Sequence, residues 1–408
     1  MKSVDEHVAG CLAAVDVLPP VEVGLLAALD QVLAADVTSP IDLPRFANSS
    51  MDGYAVRLAD VAGAGPDDPV TLPVLADLPA GVEQVDPLVA GAVARIMTGA
   101  PTPAGTEAVV PVEWTDAGVD VVTVRRAPEP GQYVRHAGED VRAGDVVLRA
   151  GVRLGPRHVT LLAAVGRASV LAHPRPRVLV LSTGSELTPP GAELAPGRIH
   201  DANGYGLVAA ALDLGADARH GGIVPDDAAA VRAALAAAVE GADVVITSGG
   251  VSAGAYDTVK EVLREAGGVI FEKVAMQPGM PQGFGTLPES QVPIFTLPGN
   301  PVSSMVSFEL FVRPVLRKLA GEATLHRRLV TAVAGAAWTS PAGKRQFARA
   351  VVEPGTDGAL VVTPVGGQGS HLVADLAQAN CLAVVPEGVA HVAVGDPVDC
   401  LLLERGRR

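Results

Sequence analysis

The spacing of apolar and polar positions changes several times along the chain. Val4, Val8, Cys11, Leu12 and Val15 fall on one helical face, which predicts an amphipathic helix over residues 4–15, ended by Pro19-Pro20. Residues 22–33 read as a second helix. From about Asp42 to Asp145 the pattern turns to short β runs at 70–75, 92–97, 108–112 and 119–124, broken by Gly and Pro, which predicts a small all-β module. A short helix-like segment lies within 144–172, and Pro174 and Pro176 read as a linker. From Arg177 to about Ala320 the order is strand, glycine turn, helix, repeated. Strands are predicted at 178–182, 218–224, 243–248, 268–274 and 293–297, with helices at 203–214, 227–240, 256–266 and 301–319. That alternation predicts a doubly wound, largely parallel sheet whose ligands lie beyond the carboxyl ends of its strands. After Gly321 short strands return and predict a small β-barrel or sandwich, with one glycine-rich loop at Gly366–His371.

Bulk properties narrow the possibilities. A chain of 408 residues exceeds one ordinary core and implies several domains at ~150 residues each. Hydrophobic content of 49% against 19% charged residues marks a globular chain. A net charge of −14, with no basic stripe, argues against nucleic acid as a partner, so an anionic substrate must be drawn by local groups and a metal. Three scattered cysteines fit a reducing cytoplasm rather than a disulfide framework. Neither a signal-peptide core nor an apolar run of membrane-spanning length is found, so no membrane partner is expected.

The chemistry concentrates at Thr247–Asp257, TSGGVSAGAYD, between a predicted strand and helix. Successive small residues let backbone N–H groups converge on an anion, a role for Ser248, Gly249, Gly250 and Ser252. A carboxylate beside such a site, Asp257, calls for a bridging cation and suggests a Mg²⁺-bound phosphate or oxyanion. Glu186 and Asp226 also follow predicted strands, so the same fold brings three acids to one sheet edge. Taken singly, Asp226 and Asp257 could be helix caps and Glu186 a first-turn acid; as a set beside the glycine turns at Thr183-Gly184, 247–257 and Pro298-Gly299-Asn300-Pro301 they favour a Mg²⁺ site. Asn300 could cap the helix that Pro301 starts. Lys273 is the basic group placed to answer that charge, or else a snorkelling surface lysine. Asp52-Gly53 and Thr98-Gly99 read on residue type as hairpin turns.

Gly250–Gly254 also matches the GxSxG nucleophile elbow, which leaves a serine hydrolase using Ser252, Asp375 and His391 as a second reading. A third is a binding or scaffold protein that keeps this fold without turnover.

Taken together, FANSSMDGYAV (46–56), IMTGAP (96–101), VRHAGEDV (134–141), LSTGSEL (181–187), IVPDD (223–227), TSGGVSAGAYD (247–257), LPGNPVS (297–303) and GQGSH (367–371) resemble the molybdopterin molybdenumtransferase family, which includes the C-terminal domain of gephyrin. The resemblance implies four parts: a doubly wound molybdopterin-binding domain (1–20 and 173–322), a small linking domain (21–43 and 144–172), an inserted β module (44–143) and a C-terminal β-barrel (323–408). It implies a cytoplasmic homodimer that works beside a molybdopterin adenylyltransferase. The implied reaction takes adenylylated molybdopterin and molybdate, with Mg²⁺, to molybdenum cofactor and AMP. Glu186, Asp226 and Asp257 would serve the metal, Lys273 would neutralise oxyanion charge, and Pro298 and Pro301 would shape the adjoining loop. Asp52, Thr98, Arg135 and Asp140 would face the cleft from the partner subunit, and Arg349 and Ser370 would contribute from the barrel, with molybdate as the implied ligand. The chain departs from the pattern at Ser185, where many members carry a second acid, and at Gln277 and Met280, where many carry lysines.

Overall fold

The computed structural model describes residues 1–251, 258–288, 290–356 and 358–403. They form two compact units, one of Met1–Val21, Asp30–Ala34 and Leu171–Arg408, the other of Glu22–Leu29 and Ala35–Val170.

The first unit opens with α1 (Val4–Ala13), whose start is fixed by a capping box: Ser3 Oγ accepts the Glu6 N–H at 3.2 Å, and the Glu6 carboxylate accepts the Ser3 N–H at 2.8 Å. The α/β portion follows as β1 (Arg177–Thr183), α2 (Asn203–Asp213), β2 (Asp217–Val224), α3 (Ala228–Ala238), β3 (Val244–Ser248), α4 (Thr258–Ala266), β4 (Val269–Lys273), β5 (Pro281–Thr286), β6 (Pro293–Leu297), α5 (Pro301–Ser307) and α6 (Arg313–Leu319). The sheet order is β2-β1-β3-β6-β5-β4. The first four strands are parallel, and β5 runs antiparallel to both neighbours.

Strand periodicity sorts the core into two layers. Val178, Val180, Val244, Ile246, Phe295 and Leu297 point to the face covered by α1, α2, α5 and α6. The alternate residues Leu179, Leu181, Val245 and Ile294 point to the face covered by α3 and α4. The doubly wound arrangement is therefore present. The chain leaves β1 toward β2 and leaves β3 toward the opposite edge, which opens a crevice beyond the carboxyl ends of these two strands.

The C-terminal strands Leu329–Ala334, Arg345–Pro354, Leu360–Pro364, Cys381–Val385 and Pro397–Leu402 close into a barrel, because 345–354 pairs with both 360–364 and 381–385. Closure removes the free edges that a sandwich would leave. In the second unit a five-stranded sheet runs in the order Ala108–Pro111, Gly53–Val56, Val93–Ile96, Val70–Leu78 and Val121–Val124, the expected all-β module.

Several local expectations are corrected. Residues 22–33 are not a helix: Val21–Gly24 and Val32–Leu33 are strands joined by turns, and Asp30 takes a φ of 67°. Gly53 is no hairpin turn but the first residue of a strand, so close to its neighbour that a Cβ would lie 2.0 Å from the Val110 carbonyl oxygen. Thr98-Gly99 is a turn, with Gly99 at φ 82°. Asn300 occupies the N-cap position of α5 without a side-chain capping bond.

Candidate functional site

Three strand ends meet beyond the sheet. Gly184 follows Thr183 at the end of β1, Gly249-Gly250 follow Ser248 at the end of β3, and Pro298-Gly299-Asn300 follows β6. Glycine is required where they abut. Gly249 has φ 99°, and a Cβ there would lie 2.7 Å from the Thr183 carbonyl oxygen. Gly250 has φ 80°. At Gly184 a Cβ would lie 2.5 Å from Glu186 Oε2, so the Glu186 carboxylate folds back over that glycine. The ends are tied together: Thr183 Oγ1 donates to the Ser248 carbonyl at 3.0 Å, and the Gly249 N–H donates to the Leu297 carbonyl at 3.0 Å.

These turns floor a cavity of about 610 Å³, within the range of small-ligand sites. Glu186, Asp226, Asp201, Asn203, Pro301 and His371 contribute to its lining. The Asp226 carboxylate accepts the Ser185 N–H at 2.8 Å, and the Asp226 N–H donates to Ser185 Oγ at 3.1 Å. Asp226 is thus not the cap of α3. That place belongs to Asp227, whose carboxylate accepts the Ala230 N–H at 2.9 Å.

The remaining expected residues divide. Ser252 and Asp257 lie outside the described residues. Lys273 ends β4 with an exposed side chain, and it is not among the described residues that line the cavity. Its carbonyl accepts the Lys2 N–H at 3.0 Å. Pro298 is buried, and Pro301 opens α5. Arg349 is 1% exposed; its guanidinium donates to the carbonyls of Gly369, at 2.9 Å, and Gly367, so it holds the loop that carries Ser370 and His371. The Ser370 carbonyl accepts the Val302 N–H at 3.1 Å, which seats this loop on the first turn of α5.

Asp52, Thr98, Arg135 and Asp140 belong to the second unit. There the Asp52 carboxylate accepts both the N–H, at 2.7 Å, and the hydroxyl, at 2.8 Å, of Thr98, which holds it below the usual carboxylate range. Arg135 is exposed on a two-residue strand paired with Asn48–Ser49, and the Asp140 N–H donates to the Leu43 carbonyl at 2.9 Å.

Sequence reasoning missed a polar cluster under the cavity. Asp201, 1% exposed, accepts the Gly204 N–H and pairs with His220 Nε2, both at 2.9 Å. Burial pushes its pKa up, but the hydrogen bonds of His220, Ser182 and Gly204 outweigh that and leave it below the ordinary value. Ser182 Oγ also lies 3.3 Å from His220 Nε2. Serine and aspartate therefore meet the same ring nitrogen, so this Ser–His–Asp set is not wired as a nucleophilic relay, which needs one partner on each nitrogen. The signal for the cluster was Asp201-Ala202 just ahead of a helix that opens on Asn203. Among the described residues no group of three or more His, Cys, Asp or Glu side chains is gathered as a metal cage. Glu186 and Asp226 offer hard carboxylate oxygens on the cavity wall, the donor type suited to a Mg²⁺ held by one or two carboxylates, waters and ligand phosphate.

Comparison with known proteins bears on the whole chain. Residues 2–166 match the MoeA N-terminal region (domain I and II), 179–318 a probable molybdopterin binding domain, and 331–403 the MoeA C-terminal region (domain IV). Molybdopterin molybdenumtransferase 2 of Mycobacterium tuberculosis is 47% identical over 401 residues, covering 97% of this chain and 98% of its own. The chain belongs to the MoeA family. The Haemophilus influenzae molybdopterin molybdenumtransferase is 38% identical over 373 residues, with 91% of each chain covered. The MoeA protein of Pyrococcus horikoshii superposes with a TM-score of 0.83 at 32% identity over 99% of both chains. Within this MoeA chain the cavity is built mainly from the segment matching the molybdopterin binding domain, and His371 reaches it from the segment matching domain IV. No helix among the described residues is long and apolar enough to cross a membrane.

Proposed function

We propose that this chain is a molybdopterin molybdenumtransferase in molybdenum cofactor biosynthesis. It would take adenylylated molybdopterin and molybdate as substrates and release AMP. The observation that carries the reading is the meeting of three glycine-bearing strand ends on one cavity with Glu186 and Asp226 on its wall. Two successive glycines with positive φ, Gly249 and Gly250, make a concave backbone suited to phosphate oxygens. Glu186 and Asp226 would hold Mg²⁺, whose chemistry is to stabilise charge on the phosphate oxygens as the phosphoanhydride is cleaved. Ser185 then has a defined task, since its N–H fixes one oxygen of the Asp226 carboxylate and leaves the other for the metal or its waters. Arg349 acts through the 366–371 loop, keeping His371 at the wall.

Asp52, Thr98, Arg135 and Asp140 complete the reading as groups supplied to this cavity by the partner subunit of a cytoplasmic homodimer, with a molybdopterin adenylyltransferase delivering the substrate. The deciding experiment incubates the purified protein with adenylylated molybdopterin, Mg²⁺ and molybdate. AMP release that needs both molybdate and Mg²⁺ is expected, whereas AMP binding without turnover would favour a scaffold. Mixing inactive Asp226→Ala subunits with inactive Asp52→Ala subunits tests the shared site. Recovery of about a quarter of wild-type activity is expected from statistical exchange, since half the dimers are mixed and each holds one intact site. No recovery after verified exchange rules out sites built from two subunits.

A further inference from the structure

We infer that Asn203 is a positioning residue that clamps the two glycine turns after β3 and β6 at the separation the bound ligand needs. The inference rests on the function proposed above. Asn203 is the first residue of α2 and lines the cavity, half-buried. Its Nδ2 donates to Ser248 Oγ at 2.8 Å and to the Gly299 carbonyl at 2.7 Å. An amide nitrogen carries two hydrogens, so both are committed. A carbonyl oxygen only accepts, so the bond to Gly299 fixes which way the amide faces. The capacity left to this side chain is the acceptor Oδ1, which cannot bond a phosphate oxygen. Asn203 therefore serves the anion site through the turns it holds.

The turns need such a tie. A Cβ on Gly299 would lie 3.8 Å from the Gly249 Cα, so the two backbones face each other with no side chain between them. Beyond the Gly249–Leu297 backbone bond, the Asn203 amide is the side-chain link between them among the described residues. The clamp is itself anchored. Asp201 accepts the Gly204 N–H and pairs with His220, which fixes the first turn of α2 beneath the cavity. His220 is aimed there by a β-bulge: Val180 pairs with His220 and Ser182 with Ile223, so β2 carries one extra residue, and Gly222 takes φ 104°. Gly204 has no room for a side chain, since a Cβ would lie 2.2 Å from His220 Nε2 and 2.4 Å from Ser182 Oγ.

The test uses Asn203→Ala and Asn203→Asp in the full-length protein, with AMP titration and steady-state AMP release. The aspartate is isosteric, loses both donors and faces the Gly299 carbonyl with an anion. A clamp that serves ground state and transition state alike raises KM and the AMP Kd about tenfold for alanine, and more for aspartate, with kcat within about twofold. A merely structural role would shrink the folded fraction, lowering kcat with KM unchanged. Ser248→Ala removes one of the two acceptors without touching α2, and provides a second test if the Asn203 variants fail to fold. It should raise KM about threefold, and where the Asn203→Ala protein folds it should add nothing to that variant. Unchanged KM and AMP Kd in the Asn203 variants, an unchanged KM in Ser248→Ala, or full additivity of the two changes overturns the clamp. A wild-type protein that neither binds AMP nor turns over would instead overturn the proposed function beneath it.

Discussion

Asp226 and Asp227 are neighbours in sequence with opposite assignments. The sequence pattern allowed Asp226 to be a helix cap, because an acid before an alanine-rich helix is a cap signal wherever it stands within a residue or two. The structure separates the pair: Asp227 binds the Ala230 N–H, and Asp226 turns to Ser185 on the cavity wall. Asp226→Ala is expected to lower turnover at least about a hundredfold with the melting temperature within about 2 °C. Asp227→Ala is expected to cost about 1 kcal/mol of unfolding free energy and to leave turnover within about twofold. Urea unfolding and AMP release on both variants check this, and the reverse pattern would return Asp226 to a capping role. Lys273 is the complementary case. Its position at a strand end was legible, but whether a lysine at an edge points inward depends on neighbours far away in sequence, here Lys2 docking on its carbonyl.

At the scale of elements, the repeating strand–turn–helix order was plain because buried parallel strands are short apolar runs bounded by glycine. Two elements were hidden for opposite reasons. Residues 22–33 hold leucines and alanines that suit a helix, yet tertiary pairing wins: Val32–Leu33 joins Ala172–His173, and Ser169 Oγ bonds Glu22. Strand β5, Pro281–Thr286, carries a proline and two glycines and reads as a breaker. Its glycines are there for close approach, since a Cβ on Gly285 would lie 1.9 Å from the Gly268 carbonyl oxygen. The same logic makes the turn after β3 intolerant. Gly249→Ala forces a left-handed residue with a Cβ into the Thr183 carbonyl and should cost about 1–3 kcal/mol. Its AMP affinity should fall with it; an unfolding free energy equal to wild type would mean the turn has slack that the contacts do not indicate.

On the scale of the whole chain, the sequence pattern alone could not place the first helix, because nothing local says what its apolar face meets. Only the family resemblance joined residues 1–20 to the α/β portion; in the structure Val4 and Cys11 of α1 share a buried cluster with Val178, Val244 and Phe311. The Lys2 N–H reaches the Lys273 carbonyl, and the Ala275 N–H reaches the Lys2 carbonyl at 2.8 Å. His7, 2% exposed, packs edge-on against Phe311 and lies 2.8 Å from Glu272 Oε1, which also receives Lys2 Nζ at 3.0 Å. Burial pushes the His7 pKa below its ordinary value, the nearby Lys2 pushes the same way, and Glu272 opposes them without prevailing. The folded protein therefore holds His7 neutral at a pH where the unfolded chain begins to protonate it. Stability from this group is fully present above the unfolded pKa of about 6.5 and is lost as pH falls through the folded value. His7→Gln keeps a donor for Glu272 without a titrating ring, so the variant should lose less stability than wild type between about pH 7.5 and pH 5.5. Urea midpoints at the two pH values measure that difference. A wild-type protein that gains stability relative to His7→Gln on acidification would mean that Glu272 wins, and that the N-terminal helix is held by an ion pair rather than by a neutral ring.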